Sequence, residues 1–233
     1  MKTATKMTSE ERKESILKAV RKVFADKGFR GITSRELAQA AGISEALLFR
    51  HFPNKEALYG AIQESCCRKE DVETMQSLDA LEDSTANLVY LVHLLVTEMF
   101  RVPSNDNADE ITMRRLFLRS ITEDGELVRL FLKGMPSQWV QKTAVCLQAA
   151  IAAGDANAGP APLNLLGWFA HHLAAMIAIH LLPETPIVDY GISRSALVEQ
   201  TVWFSLRGMG LKDEVIARHL SEVMASRAPS GAG

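Results

Sequence analysis

The sequence predicts an all-α protein with an N-terminal three-helix helix-turn-helix head over residues 9–60 and a larger helical body over residues 61–226. Three observations carry that prediction. Apolar residues return at spacings of three and four along almost the whole chain, with hardly any period-two alternation. The breaks between these runs fall at Pro103 to Asn107, Gly125, Gly134-Met135-Pro136, Gly154 to Pro162, Pro183 to Gly191 and Gly208 to Gly210. The composition, 47% hydrophobic and 23% charged over 233 residues, suits a soluble chain with a sizeable core and excludes low-complexity or collagen-like sequence.

The elements follow in order from local signals. The first helix spans about Ser9 to Lys27, with Ile16, Val20, Val23 and Phe24 on one face, and Gly28 ends it as a left-handed cap. Thr33-Ser34-Arg35-Glu36 reads as a capping box opening a short second helix. Gly42 stops that helix after Leu37, Ala38 and Ala41, and Ser44 caps a third from Glu45 to His51. Pro53-Asn54-Lys55 starts a fourth, which continues past Leu58 and Ile62 to about residue 78. Further helices are expected near 80–101, 107–122, 125–133, 137–153, 161–182, 191–207 and 212–226. The tails 1–8 and 227–233 are expected to be disordered.

Charge separates along the chain. The total is -2, but residues 1–60 carry twelve Lys+Arg against seven Asp+Glu, while residues 61–233 carry fourteen against twenty-one. A basic head on an acidic body suits a chain whose one end meets a polyanion. No Asp, Glu, Lys or Arg occurs from Ala156 to Pro183. That length reaches the roughly 20 apolar residues a bilayer span needs. Asn164, His171, His172 and His180 within it, and the lack of a Lys/Arg flank, favour instead a helix covered by its own protein and a partner subunit. No membrane association is expected.

Three cysteines, Cys66, Cys67 and Cys146, do not make a disulfide framework, and the N-terminus lacks the apolar core of a secretory signal, so the expected location is the cytoplasm. Adjacent Cys66-Cys67 has no two-residue spacer. His171 and His172 point about 100° apart on a helix and have no ligand-type residue three or four positions away. No phosphate loop or nucleophile elbow occurs. No metal site, cofactor or catalytic residue is expected.

A capped helix, a turn at Ala41-Gly42-Ile43 and a second capped helix, all packed on a longer preceding helix, form helix-turn-helix architecture. It suits DNA because the second helix fits the major groove while the first crosses the backbone. The run GFRGITSRELAQAAGISEALLFRHFPNKEALYGAI resembles the DNA-binding head of TetR-type transcriptional regulators over about residues 12–62. That pattern has a Thr opening the second helix, an Ala-x-x-x-Gly-Val/Ile-Ser turn, then Tyr-x-His/Tyr-Phe-x-x-Lys-Glu-x-Leu.

The resemblance implies that Thr33 and Ser34 contact phosphate and that Arg35 reaches phosphate or a base edge. It places Ser44, Glu45, Ala46 and Leu47 at the exposed start of the recognition helix, followed by Phe49 and Arg50, and makes His51 and Lys55 phosphate ligands beside the amides of the fourth helix. Two residues depart from the pattern. Phe49 replaces the usual Tyr and loses its hydroxyl contact. Leu47 replaces a small or hydroxylated residue and offers an apolar surface to a thymine methyl. Glu45 is an acceptor for a cytosine amino group. Thr33, Ser44 and Asn54 also read as plain helix caps in any protein, and it is the joint spacing with the basic charge that points to double-stranded DNA.

A single helix-turn-helix makes few phosphate contacts, so a homodimer reading a palindromic operator is expected. Apolarity and the resemblance together place the dimer interface on the helices near 161–182 and 191–207, through Leu165, Trp168, Phe169, His172, Met176, Ile179, Val202, Trp203 and Leu206. The resemblance further implies a pocket for a small, largely apolar effector. Its candidate residues are Tyr90, His93, Met99, Phe100, Met113, Phe117, Ile121, Met135, Trp139 and Cys146, each of which also reads as ordinary core. The expected function is a ligand-responsive transcriptional regulator, a repressor released from its operator by a small molecule. The alternative is a DNA-binding protein of the same fold without an inducer, acting structurally or through a protein partner.

Overall fold

The computed structural model describes residues 7–28, 31–64, 77–101, 108–123 and 125–226. The expectations for tail residues 1–6 and 227–233, for the fourth helix beyond residue 64, for the break at 103–107 and for the Cys66-Cys67 pair lie outside them. The described residues are helical, with no strand and only an isolated bridge between Ala156 and Leu211. We number the helices α1 (Ser9–Lys27), α2 (Ser34–Ala40), α3 (Glu45–His51), α4 (Lys55–Glu64), α5 (Thr85–Met99), α6 (Ala108–Thr122), α7 (Glu126–Lys133), α8 (Met135–Ala152), α9 (Leu163–His180), α10 (Arg194–Gly208) and α11 (Asp213–Ser226).

The helices sort into two compact units. α1 to α4 pack with α6 and α7, and α5 packs with α8 to α11. The core of the first unit joins Ile16, Val20 and Phe24 of α1 to Leu37, Leu48, Leu58 and Ile62, and to Met113, Leu116 and Leu127 from α6 and α7. Each such side chain contributes about 1.5–3 kcal/mol of transfer free energy when fully buried. α6 and α7, expected in the body, close their amphipathic faces against the head helices.

The join between α1 and α6 is specific. Gly28 ends α1 at φ +76, its amide donating to the Phe24 carbonyl at 2.9 Å. Arg119 of α6 donates through Nη1 to the Asp26 carbonyl and through Nε to Glu123 Oε1 at 2.8 Å. The Glu123 carboxylate then lies over the bare Cα of Gly28, where an added Cβ would come within 2.0 Å of it. A side chain at position 28 would meet both the left-handed backbone and this carboxylate.

In the second unit α5 is the central helix. Leu88, Val92 and Val96 on it pack with Leu147 of α8, Ala174 of α9, Val202 and Leu206 of α10, and Ile216 of α11. Its start is set by Ser84, which caps it and accepts the Asn87 amide at 3.2 Å, so it begins five residues later than periodicity suggested. α8 begins earlier than expected, at Met135: Pro136 stands in its first turn, where no amide hydrogen is required. Asp155 accepts from Thr85 Oγ1 at 2.7 Å, tying the loop after α8 to the start of α5.

α9 is long and apolar enough to cross a membrane. Within this chain only Gly167, Ala170, His171 and Ala174 of it are buried, one narrow stripe facing the bundle.

Candidate nucleic-acid interface

The interface is built from the turn between α2 and α3. Gly42 takes φ +66, the left-handed region that a tight reversal needs, and its amide returns to the Gln39 carbonyl at 3.1 Å. The Ile43 amide returns to Ala38 at 3.0 Å, and Ser44 Oγ then accepts the Leu47 amide at 3.2 Å. These three bonds fix where α3 leaves α2. Leu37 and Leu48, both fully buried, anchor the two helices on α1.

At the start of α2 the expected capping box is present. Thr33 Oγ1 accepts the Glu36 amide at 3.3 Å, and Glu36 Oε2 accepts the Thr33 amide at 2.9 Å. The Thr33 hydroxyl also donates to Glu36 Oε2 at 2.9 Å, so its proton is already committed within the box. Lys27 adds a 2.6 Å bond to Glu36 Oε1. These donors, Lys27 first, hold the Glu36 carboxyl down to about 2.

The DNA-contact candidates fall into two groups, at the start of α2 and along α3 to the start of α4. Thr33 and Arg35 are exposed and Ser34 half-buried at the start of α2; Ser44, Glu45, Ala46, Phe49 and Arg50 are exposed on α3. Leu47 and His51 are half-buried, with the His51 ring 6.4 Å from that of Phe52. Lys55 is half-buried as well: its ammonium donates to the Ile32 carbonyl at 2.9 Å, tying the start of α4 to the residue before the capping box. Asn54 Oδ1 accepts the Ala57 amide at 2.6 Å and so acts as the cap of α4.

The effector candidates divide between the two units. Tyr90, His93, Met99, Phe100, Met135, Trp139 and Cys146 belong to the second unit, but Met113 and Phe117 pack into the core of the first, where the Phe117 and Phe131 rings lie 4.7 Å apart. Ile121 is 59% exposed and belongs to neither core. Trp139 Nε1 donates to the Leu91 carbonyl at 3.2 Å, and burial pushes the Cys146 thiol up. No charged side chain is buried among the described residues of the second unit. Three of its buried polar atoms, Thr97 Oγ1, Thr143 Oγ1 and His171 Nδ1, have no hydrogen-bond partner among the described residues. Burial, with His172 as a second cause, lowers His171 to about 4 and keeps its ring neutral.

An open groove of about 410 Å³ lies elsewhere in the second unit, lined by Gln141, Ala144, Val145, Gln148, Pro162, Leu163 and Asn164. None of the effector candidates borders it.

Of the interface candidates, Leu165, Phe169, His172 and Met176 are exposed on α9, and Trp168, Ile179 and Trp203 are half-buried. Trp168 stacks on His172 at 5.6 Å between ring centroids. Val202 and Leu206 point inward and are fully buried in their own unit. The large apolar residue that α10 exposes is Phe204, 68% exposed, which sequence reasoning missed. The signal was there: position 204 lies about 200° round the helix from both 202 and 206.

Comparison with known proteins agrees with this geometry. The model of "Bacterial regulatory proteins, tetR family" matches residues 16–62, the segment that carries α2 and α3. Over 71 residues the chain is 37% identical to the HTH-type transcriptional repressor Rv1474c of Mycobacterium tuberculosis, covering 30% of this chain and 35% of that one. Over 185 residues it is 25% identical to the uncharacterized HTH-type transcriptional regulator YvkB of Bacillus subtilis, covering 75% and 90%. Among solved structures, AibR in complex with isovaleryl coenzyme A and operator DNA shares the fold with a TM-score of 0.57 at 16% identity, over 83% of this chain and 97% of that one.

Proposed function

We propose that the chain is a TetR-family transcriptional regulator, acting as a cytoplasmic homodimer that represses transcription at a palindromic operator and is released by a small, largely apolar effector. The observation that carries the DNA-binding part is the exposed face of α3, held by the Gly42 turn and the Ser44 cap on a head with a net excess of five basic residues. The basic residues Arg35, Arg50, His51 and Lys55 border α2 and α3, and phosphate neutralisation by such groups supplies affinity that falls with salt. α9 and α10 supply the dimer seam in this reading. The relation to AibR, a fold likeness to a protein solved with both an acyl-CoA and operator DNA, supports a body that takes an effector.

Coupling requires that the effector bind the released form more tightly than the DNA-bound form. The test is to select operator fragments from genomic DNA with the full chain, then titrate candidate effectors against the complex. Release at effector concentrations near its own binding constant is the expected result. An effector that binds free and DNA-bound protein equally well would refute the inducer mechanism. The reading without an inducer draws support from one observation: the open groove of the second unit is bordered by none of the effector candidates. It predicts that the selected DNA stays bound throughout such a titration.

A further inference from the structure

The face that α3 presents differs from the one its sequence suggested. Leu48 marks the core side. At about 100° per residue, Ala46 and Arg50 point away from it, Glu45 and Phe49 share one flank, and Leu47 and His51 share the other. The Leu47 flank is half-buried, whereas Glu45, Ala46, Phe49 and Arg50 are all exposed. Phe49 keeps 40% of its surface in solvent, although an aromatic ring gains free energy by leaving water. A carboxylate one helical turn away, on a helix directed at a polyanion, is equally out of place against phosphate.

Both anomalies are removed by one arrangement, and we propose that Glu45 and Phe49 form a two-point reader of the major-groove floor: Phe49 covers a thymine 5-methyl group, and Glu45 accepts from the amino group of a cytosine or adenine beside it. This rests on the reading of α3 as the recognition helix. A phenyl ring cannot hydrogen-bond, and the thymine methyl is the apolar group that the major-groove edges of the bases offer. An ionised carboxylate only accepts, so the groove floor satisfies it only where an exocyclic amine projects. Side chains four residues apart on a helix stand about 5–6 Å apart, which is between one and two base steps of about 3.4 Å. The methyl-bearing and amino-bearing bases are therefore neighbours or next neighbours. Ala46, outermost on the helix, has only a methyl group and permits the close approach that the two flanking groups need.

The test uses the operator obtained by selection with the full chain. Each thymine of a half-site is replaced in turn by deoxyuridine, which keeps the pairing and removes the methyl group. The unmodified protein should lose about three- to fivefold in affinity per half-site at one particular thymine, the worth of one buried methyl-sized group. Phe49→Ala should bind the thymine and uridine operators equally, and Phe49→Tyr, which keeps the ring, should retain the discrimination. Glu45→Ala should lose base preference at a position one or two steps from that thymine. The proposal is overturned if Phe49→Ala discriminates thymine from uridine as the unmodified protein does, if no thymine is sensitive, or if Glu45→Ala relaxes a position remote from it. Failure to select any DNA sequence would overturn the recognition-helix reading itself, which these outcomes do not.

Discussion

α3, α9 and α10 each hold an aromatic side chain in solvent, and the surroundings of the first two differ completely. On α3, Phe49 is flanked by Glu45 and Arg50 on a seven-residue helix whose ends are fixed by the Gly42 turn and the Ser44 cap. On α9, Leu165, Phe169 and Met176 are exposed along an eighteen-residue helix in a segment with no Asp, Glu, Lys or Arg. Charge beside an exposed ring permits life in water and selects a charged, patterned partner. A ring without charges nearby gains from burying area and has no electrostatic means of choosing; a second copy of the same surface satisfies it. The contrast teaches that exposure alone does not separate an interface for DNA from one for protein, whereas the charges around the exposed ring do.

The comparison breaks most visibly on α9. Phe169→Glu would put an unpaired carboxylate into the proposed seam, twice in a two-fold dimer, at about 3–5 kcal/mol for each buried charge. At micromolar concentration sedimentation should show monomer, with operator binding at least a hundredfold weaker and the helical content unchanged. A persistent dimer would place the seam elsewhere.

A second effect, on the order of 3 kcal/mol, concerns the inward side of the same helix. His171 sits at about 4 in the folded chain against about 6.5 for an ordinary histidine. The unfolded chain thus takes up the proton first. The contribution to stability is full above about pH 6.5, declines as the pH falls from there to about 4, and is constant below. Denaturant midpoints measured across that range should fall toward acid, and His171→Phe should flatten that limb.

The smallest effect is expected in the head. Lys55→Ala should weaken binding to all sequences alike, by about tenfold or less, and lower the salt slope by about one counterion. A change of base preference at one position would show that Lys55 reads sequence.

What was legible in the sequence was local. The Thr33–Glu36 box, the Ser44 cap, the turn at Gly42 and the ends of α1 are set by residues within four positions of one another, so their chemistry can be read without knowing the fold. The partners of α6 and α7 were not legible, because an amphipathic face shows that something covers it and not which helix does. The same limit hid Glu123, which lies on Gly28 from 95 positions away. On α3 the difficulty was brevity: seven residues define a face too loosely to tell Leu47 from Phe49, and the buried position of Leu48 decided it. Phe204 is hidden in the sequence because Val202, Trp203 and Leu206 read as one apolar surface, although 202 and 206 face opposite to 204.

The contact between Gly28 and Glu123 also constrains the order in which this chain can change. While Arg119 holds the Glu123 carboxylate over the bare Cα, a first mutation at position 28 meets both a left-handed backbone and an occupied space. A first mutation at Glu123 to a smaller residue meets neither, and it removes one of the two obstacles for a later change at 28. The two positions are therefore epistatic in one direction. Lineages that carry a side chain at position 28 should have lost the acid at 123 beforehand, and should favour asparagine, the residue that best tolerates the remaining positive φ.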